Sequence, residues 1–188
     1  MPTGRESLAV VVVGGRLFAI GGVSGGNYLS TVEAFDPQTG AWAALAPMPT
    51  AREGAGAAVL EGKIYVVGGT GDSKSKVEAF DPQAGAWAEV APMPTGRQSL
   101  AAAVVGGRLF AIGGWGGGDY VSSVEAFDPQ TGVWAALAPM PTARYGSGAA
   151  VLDGKIYVVG GANGTAYLAT VEVYDPATNV WSQAPPTT

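Results

Sequence analysis

The sequence predicts an all-β repeat protein built from four similar four-stranded sheets. A glycine pair recurs at intervals of 47, 45 and 47 residues, and a tryptophan follows it at intervals of 45, 47 and 47. No segment has an apolar period of 3.6 residues over the length of a helix. Self-similarity at a fixed period of this length indicates a repeat architecture. The pairs are Gly21-Gly22, Gly68-Gly69, Gly113-Gly114 and Gly160-Gly161, and the tryptophans are Trp42, Trp87, Trp134 and Trp181.

Each repeat reads as four short strands, which we name a to d in chain order. Strands a and b are joined by two residues, as at Gly14-Gly15, which permit the positive φ angles of a tight hairpin. A loop of variable length then leads to strand c, which ends in an Asp-Pro turn such as Asp36-Pro37. Strand d carries the tryptophan and ends at a proline. The pattern therefore predicts an antiparallel meander in every repeat.

One such sheet buries little surface, so three or more must stack to form a core. The recurring tryptophans are suited to the contacts between sheets, because each can bury about 150–250 Å². We therefore expect them to be structural. The chain is predicted to be a single unit with repeats at approximately 5–50, 51–95, 96–142 and 143–188.

Composition excludes several classes of function. The chain has no cysteine and no histidine, so thiol catalysis, disulfides and the usual zinc and copper ligands are excluded. We expect no cofactor, no metal and no enzymatic activity. The net charge of −5 argues against a nucleic-acid partner. No run is apolar and long enough for a signal peptide or membrane span, so we expect a soluble protein, whose compartment the sequence does not indicate.

The repeats resemble the Kelch repeat over essentially the whole chain. The resemblance rests on the glycine pair that ends strand b, V-E-A-F-D-P or V-E-V-Y-D-P on strand c, the tryptophan of strand d, and A-P-M-P-T-[AG]-R before the next strand a. It implies a β-propeller whose blades are the repeats. Residues 1–52 match residues 93–144 at all but nine positions, which suggests a truncated, engineered or recently amplified propeller.

Kelch propellers commonly have six or seven blades, whereas this chain has four repeats. An arc of four blades exposes an apolar face at each end, and we assign Leu8, Val10 and Val12 to the first and Val171, Val173 and Trp181 to the last. We predict that a homodimer completes a ring of eight blades. A closed ring of four blades is the alternative.

The candidate binding face contains the b–c and d–a loops, because a meander places these loops on the same side. The b–c loops differ most between repeats, and binding residues commonly lie on variable loops of a rigid scaffold. The residue after each repeat arginine also varies, and in peptide-binding Kelch proteins these two loop positions resemble the set that lines the pocket. The predicted ligand-binding residues are Arg5, Glu6, Arg52, Glu53, Arg97, Gln98, Trp115, Tyr120, Arg144 and Tyr145.

Two alternatives stay open within this set. The four arginines either form a cationic rim for a carboxylate or pair with the recurring glutamates of strand c. Trp115 either lines a pocket or folds onto its own blade. The glutamates are Glu33, Glu78, Glu125 and Glu172.

Three functions are compatible with these observations. The first is a non-catalytic scaffold that binds a protein or peptide, or a second copy of itself. The second is a designed or amplified module without an evolved ligand. The third is an enzyme similar to the Kelch sugar-acid isomerases, which would use Glu6 or Glu53 together with the arginines.

Overall fold

The computed structural model describes residues 1–184, and the last four residues of the fourth predicted repeat lie outside them. It contains four antiparallel sheets of four strands each. The first sheet has β1 (Ala9–Val13), β2 (Arg16–Ile20), β5 (Val32–Asp36) and β6 (Ala41–Ala44); the second has β7 (Gly56–Leu60), β8 (Lys63–Val67), β9 (Val77–Asp81) and β10 (Ala86–Val90). The third has β11 (Ala101–Val105), β12 (Arg108–Ile112), β15 (Val124–Asp128) and β16 (Val133–Leu137); the fourth has β17 (Gly148–Leu152), β18 (Lys155–Val159), β19 (Val171–Asp175) and β20 (Val180–Gln183). We call these sheets blades 1 to 4.

The hairpins between strands a and b are confirmed. Val13 pairs with Arg16, and the turn residues Gly14 and Gly15 have φ angles of 57° and 72°. Positive φ at both central residues is the geometry that matches the twist of two antiparallel strands. The b–c loops contain more regular structure than the sequence predicts. Those of blades 1 and 3 form small hairpins, and that of blade 2 forms a short 3-10 helix; the segments are β3 (Val23–Ser24), β4 (Asn27–Tyr28), Gly71–Ser73, β13 (Trp115–Gly116) and β14 (Asp119–Tyr120).

The blades stack through their faces, and the a strands of successive blades are neighbours. Each of the three junctions between blades has its own apolar core. The core between blades 2 and 3 contains Leu60 and Val67 from one side and Leu109 and Ala111 from the other. The inner strands carry apolar residues on both of their faces, because the sheet of an inner blade is covered on both sides.

Three of the four tryptophans of strand d, Trp87, Trp134 and Trp181, have the predicted structural role at these junctions, whereas Trp42 lies on the free face of blade 1. The Nε1 atom of Trp87 donates a hydrogen bond to the carbonyl oxygen of Ala46 in the preceding blade at 2.9 Å. Trp134 and Trp181 donate in the same way at 2.8 and 2.9 Å. Each indole thus contributes both apolar area and a hydrogen bond that crosses the junction.

The four blades form an open arc. Within residues 1–184 no substantial packing joins a strand of blade 1 to a strand of blade 4, and their outer faces are exposed, so the alternative of a closed four-bladed ring is not formed. Val10 and Val12 are 52% and 64% exposed on blade 1, and Leu152 is 58% exposed on blade 4. Trp181 was placed on the free face of blade 4 by the sequence, and this is wrong, since it packs against blade 3. The described residues include no helix long and apolar enough to cross a membrane.

Candidate interaction face

The four repeat arginines are buried in ion pairs inside their own blades. The side chains of Arg5, Arg52, Arg97 and Arg144 are 0% exposed. Nη2 of Arg5 lies 2.6 Å from Glu33, and Nη2 of Arg97 lies 2.8 Å from Glu125. Nη1 of each arginine donates to two backbone carbonyls of its blade, which for Arg5 are those of Gly21 and Thr31 at 3.0 and 2.9 Å.

This geometry decides between the two roles that the sequence allows for the arginines. A guanidinium that is fully covered by protein, paired with a carboxylate and bonded to two carbonyls presents no accessible edge to a ligand in solvent. The cationic rim is therefore not formed, and the assignment of Arg5, Arg52, Arg97 and Arg144 as ligand-binding residues is corrected to a structural role. The guanidinium joins strands b and c to the segment that enters strand a, which holds the loop face rigid.

A threonine two residues before each arginine completes the pair, and the sequence reasoning missed it. The hydroxyl of Thr3 donates to Glu33 at 2.8 Å, and that of Thr95 donates to Glu125 at 2.6 Å. Burial raises the pKa of Glu33, but the hydrogen bonds from Thr3 and Arg5 outweigh it, so that the pKa lies below its usual 4.5. The signal in the sequence is the invariant threonine of P-T-[AG]-R.

The two variable loop positions of each repeat do meet, as the sequence predicts. The residue after each arginine pairs through its backbone with the first residue of the b–c loop of the same blade. Glu6 pairs with Val23, Gln98 with Trp115, and Tyr145 with Ala162. In blade 2 the amide of Thr70 donates to the carbonyl of Glu53 at 3.1 Å. These positions line one face of the arc at regular intervals.

The aromatic residues of this face are concentrated on blades 3 and 4. Trp115 is half-buried, with the Lys74 ammonium of the neighbouring loop 5.2 Å from the centre of its ring. The rings of Tyr120 and Tyr145 lie 5.4 Å apart, and Tyr145 is 37% exposed. Tyr167 is 95% exposed beside them. By contrast, the corresponding positions after the arginines of blades 1 and 2 are the acidic Glu6 and Glu53.

Two adjoining cavities open beside Tyr145 on blade 4. One, of about 220 Å³, lies between Tyr145 and the loop from Gly164 to Tyr167. The other, of about 330 Å³, lies between Tyr145 and Gly146 on one side and Gly161 and Leu168 on the other. Both are open to solvent, and their polar groups are mainly backbone amides and carbonyls.

The sheets, their order and their stacking define a four-blade β-propeller unit with antiparallel blades. The family model described as the KLHDC2/KLHL20/DRC7 Kelch-repeats domain matches residues 46–188, and the Kelch motif model matches residues 4–49. The chain belongs to the Kelch-repeat family.

Comparison with individual proteins agrees with this assignment. Kelch-like protein 35 of Mus musculus is 44% identical over 48 residues, and that of Homo sapiens is 47% identical over 45 residues. These alignments cover 26% and 24% of this chain, and the chain spans about 8% of each relative. The solved structure titled "Structure of YjhT" superposes on all of this chain with a TM-score of 0.85 and 18% identity, over 67% of its own length. That likeness concerns the fold alone.

Proposed function

We propose that this chain is a non-catalytic Kelch scaffold that binds a protein or peptide segment on its loop face. The observation that carries the proposal is the pairing of the residue after each arginine with the first residue of the b–c loop. This pairing places the variable positions of the repeats side by side on one rigid surface. Binding residues on rigidly held loops need little ordering when a partner binds.

Blades 3 and 4 are the proposed centre of the interface. Exposed aromatic rings are the side chains that most often dominate binding energy between proteins, because they bury large areas at low entropic cost. Tyr145 packs against Tyr120 and borders the cavity of about 220 Å³. Glu6 and Glu53 contribute negative charge farther along the same face, which favours a partner with basic residues.

Peptide selection tests this proposal. The 188-residue chain is immobilised, a random peptide library displayed on phage is panned against it, and the enriched peptides are synthesised. We expect Tyr145→Ser to weaken their binding by about tenfold or more. Tyr28→Ser is the matched control, because Tyr28 is exposed on the b–c loop of blade 1 and should leave binding unchanged. Failure to enrich any peptide, or equal binding by the Tyr145 variant, would reject the proposal.

The isomerase-like alternative depends on arginines that are accessible to a substrate. Its arginines have no free edge for a substrate carboxylate, because each is bonded to a glutamate within its blade. The carboxylates Glu6 and Glu53 then stand without a cationic partner for an anionic substrate. If the peptide experiment fails, the remaining interpretation is a designed or amplified module without an evolved ligand.

The second candidate function is self-assembly, which the exposed end faces favour. Apolar residues on the outer faces of blades 1 and 4 are uncovered, as the exposures of Val12 and Leu152 show. Contacts between two different faces must close into a ring or propagate. We propose that two chains close a ring of eight blades. Native mass spectrometry of the 188-residue chain should give twice 18.8 kDa, whereas a folded monomer at low micromolar concentration would reject the dimer.

A further inference from the structure

We infer that residues 5–7 of a second copy occupy the open groove beside Gly161 on blade 4, and that the two free faces reproduce the junction between blades 2 and 3. The inference rests on the proposed self-assembly and specifies how the copies meet. It follows from three independent features of the structure: the residues of the two free faces, the backbone groups left without partners, and the space around the last glycine pair.

The free face of blade 4 carries nearly the same residues as the face of blade 2 that contacts blade 3. The face of blade 2 is formed by Ala58, Leu60, Tyr65, Val67, Val77, Ala79 and Val90. Its counterparts on blade 4 are Ala150, Leu152, Tyr157, Val159, Val171, Val173 and Ala184. Only the last two positions differ: Val173 stands in place of Ala79, and Ala184 stands in place of Val90. The apolar volume of the face is therefore conserved, which well-packed cores require.

The free face of blade 1 matches the opposite half of that junction. Blade 3 contributes Leu100, Ala102, Val104, Leu109, Ala111, Phe127 and Trp134 to its contact with blade 2. The counterparts on blade 1 are Leu8, Val10, Val12, Leu17, Ala19, Phe35 and Trp42. Val10 in place of Ala102 is the single difference. One chain thus carries both halves of a junction that it already forms internally, which makes a second copy the complementary partner.

Backbone hydrogen bonds cross every internal junction at the same places. The amide of Gly114 donates to the carbonyl of Arg144 at 2.8 Å, and the amide of Arg97 donates to the carbonyl of Lys74 at 2.8 Å. Nearer the axis, the amide of Ser99 donates to the carbonyl of Gly54 at 2.6 Å. These bonds hold the segment that enters each blade against the glycine pair of the blade before it.

The corresponding groups at the ends of the arc have no such partners within residues 1–184. They are the amide of Gly161 and the carbonyls of Leu168 and Gly146 on blade 4, and the carbonyl of Arg5 and the amides of Arg5 and Ser7 on blade 1. Each free donor on one end corresponds to a free acceptor on the other. The 330 Å³ cavity lies where these blade 4 groups converge, since Gly146, Gly161 and Leu168 all line it.

Among residues 1–184, the space around the last glycine pair is open in the same way. A Cβ atom built on Gly113 would lie 2.7 Å from the carbonyl oxygen of Arg144 and 2.8 Å from Cε of Met140. On Gly160, the equivalent Cβ would approach nothing closer than the carbonyl oxygen of Leu168 at 3.5 Å. Met1 stands at the repeat position of Met93, yet it is 44% exposed whereas Met93 is 2% exposed. In the part of the chain that the structure describes, the side of Gly160 that the Arg144 carbonyl covers at Gly113 is open, and the Arg5 carbonyl of a second copy corresponds to it.

A pair of cysteines tests this arrangement, because the chain contains none of its own. A Cβ on Gly54 would lie 3.2 Å from Oγ of Ser99, so the side chains at these two positions are close enough for a disulfide. Gly54→Cys/Ser99→Cys is therefore the internal control and should form a crosslink within one chain. Gly146→Cys/Ser7→Cys is the equivalent pair at the ends of the arc. Gly54 and Gly146 have similar φ angles of 60° and 64°, so the backbone strain of the two variants is matched.

Both variants are oxidised, separated by denaturing electrophoresis with and without reductant, and weighed by native mass spectrometry. We expect the Gly146→Cys/Ser7→Cys chain to migrate as a covalent dimer without reductant, and each single variant to remain monomeric under denaturing conditions. A native dimer that fails to crosslink, beside a control that does, would overturn the groove assignment and leave self-assembly standing. A native monomer would overturn both. A crosslink within one chain would show that the arc closes on itself and would also overturn the inference.

Discussion

The junction between blades 2 and 3 and the two ends of the arc contain nearly the same residues in opposite environments. Leu60 is 2% exposed, whereas its counterpart Leu152 is 58% exposed; Val67 is 0% exposed, whereas Val159 is 49% exposed. The sheets that carry them have the same strand order and the same register. Burial in this protein is therefore a property of the neighbouring blade rather than of the residue or its strand.

The comparison separates two kinds of stabilising contact. The arginine–glutamate pairs lie inside single blades, and the arginine side chains are 0% exposed both in blade 1 and in blade 3, although Arg5 as a whole residue is only half-buried. The apolar faces, the indole hydrogen bonds and the backbone bonds of the entering segment need a second blade. Mutation of a contact within one blade should therefore lower the stability equally at the ends and in the middle of the arc. Mutation of a contact between two blades should lower it more in the middle than at the ends.

The largest effect is expected for the buried ion pairs. Arg97→Met leaves the Glu125 carboxylate buried without its cation, which should lower the free energy of unfolding by about 3–5 kcal/mol. Arg5→Met should cost a similar amount, because its pair with Glu33 lies within blade 1. Urea denaturation of both variants measures the difference. Lys63→Met, which removes the exposed pair with Asp81, is the control and should cost about 1 kcal/mol or less. A much smaller loss for Arg5→Met would break the distinction between the two kinds of contact.

The apolar faces should show the opposite behaviour. Leu60→Ala should cost about 2–5 kcal/mol, because it leaves a cavity between blades 2 and 3. Leu152→Ala should cost less than about 1 kcal/mol in dilute monomer, since its side chain is mostly in water there. If the ends pair between copies, the cost of Leu152→Ala rises with protein concentration while that of Leu60→Ala does not. Equal costs in dilute solution would contradict the open arc.

Gly160→Ala sharpens the comparison at a single backbone position. Among residues 1–184 its methyl group has room, whereas in the inferred two-chain ring it would strike the second copy at the place where Gly113 meets Arg144. We expect the dimer to dissociate at a concentration about tenfold higher or more, which corresponds to about 1.4 kcal/mol. Gly154→Ala is the matched control, because Gly154 has a comparable φ of 73° and open space around it. Analytical ultracentrifugation measures the dimer dissociation constant of the two variants, and equal constants would contradict the prediction.

Removal of the threonine hydroxyl should have a smaller and pH-dependent effect. The folded state lowers the pKa of Glu33, so the stability that this carboxylate provides is present above 4.5 and is lost as the pH falls through the lowered pKa. Thr3→Val removes one of the hydrogen bonds that lower the pKa, and should cost about 0.5–1.5 kcal/mol at pH 7. The difference from the unmodified chain should shrink in acid, once Glu33 is protonated. Denaturation curves at pH 7 and in acid test this, and a constant difference would count against the role given to Thr3.

The smallest effect is expected on the loop face. Trp115→Ala should change the free energy of unfolding by about 1 kcal/mol or less, because the ring is half-buried and contributes to none of the three junction cores. Its contact with Lys74 is at the surface, where such interactions are weak. Thermal denaturation is sufficient to measure it. A loss as large as that of Leu60→Ala would show that the loop face is part of the core.

Much of the candidate face could be predicted from the sequence, and one part could not. The meander fixes which loops share a side, so the location of Gln98 and Trp115 on one face follows from the repeat pattern, whereas their backbone pairing is seen only in the structure. The burial of Arg97 does not, because a recurring arginine and a recurring glutamate fit a rim or an ion pair equally well. Thr95, which completes the pair, lies 30 residues from Glu125 in sequence and carries no signal beyond its recurrence.

The sequence by itself determined the repeat, the strand order within each blade, the two-residue turns and the membership of the Kelch family. These features are local: alternating side chains, positive-φ glycines and Asp-Pro turns specify one sheet without reference to any other. Only the tertiary structure decided that the arginines are internal and that the arc is open. The reason is physical, since identical blades present identical faces, and whether a face is covered depends on the angle at which its neighbours pack.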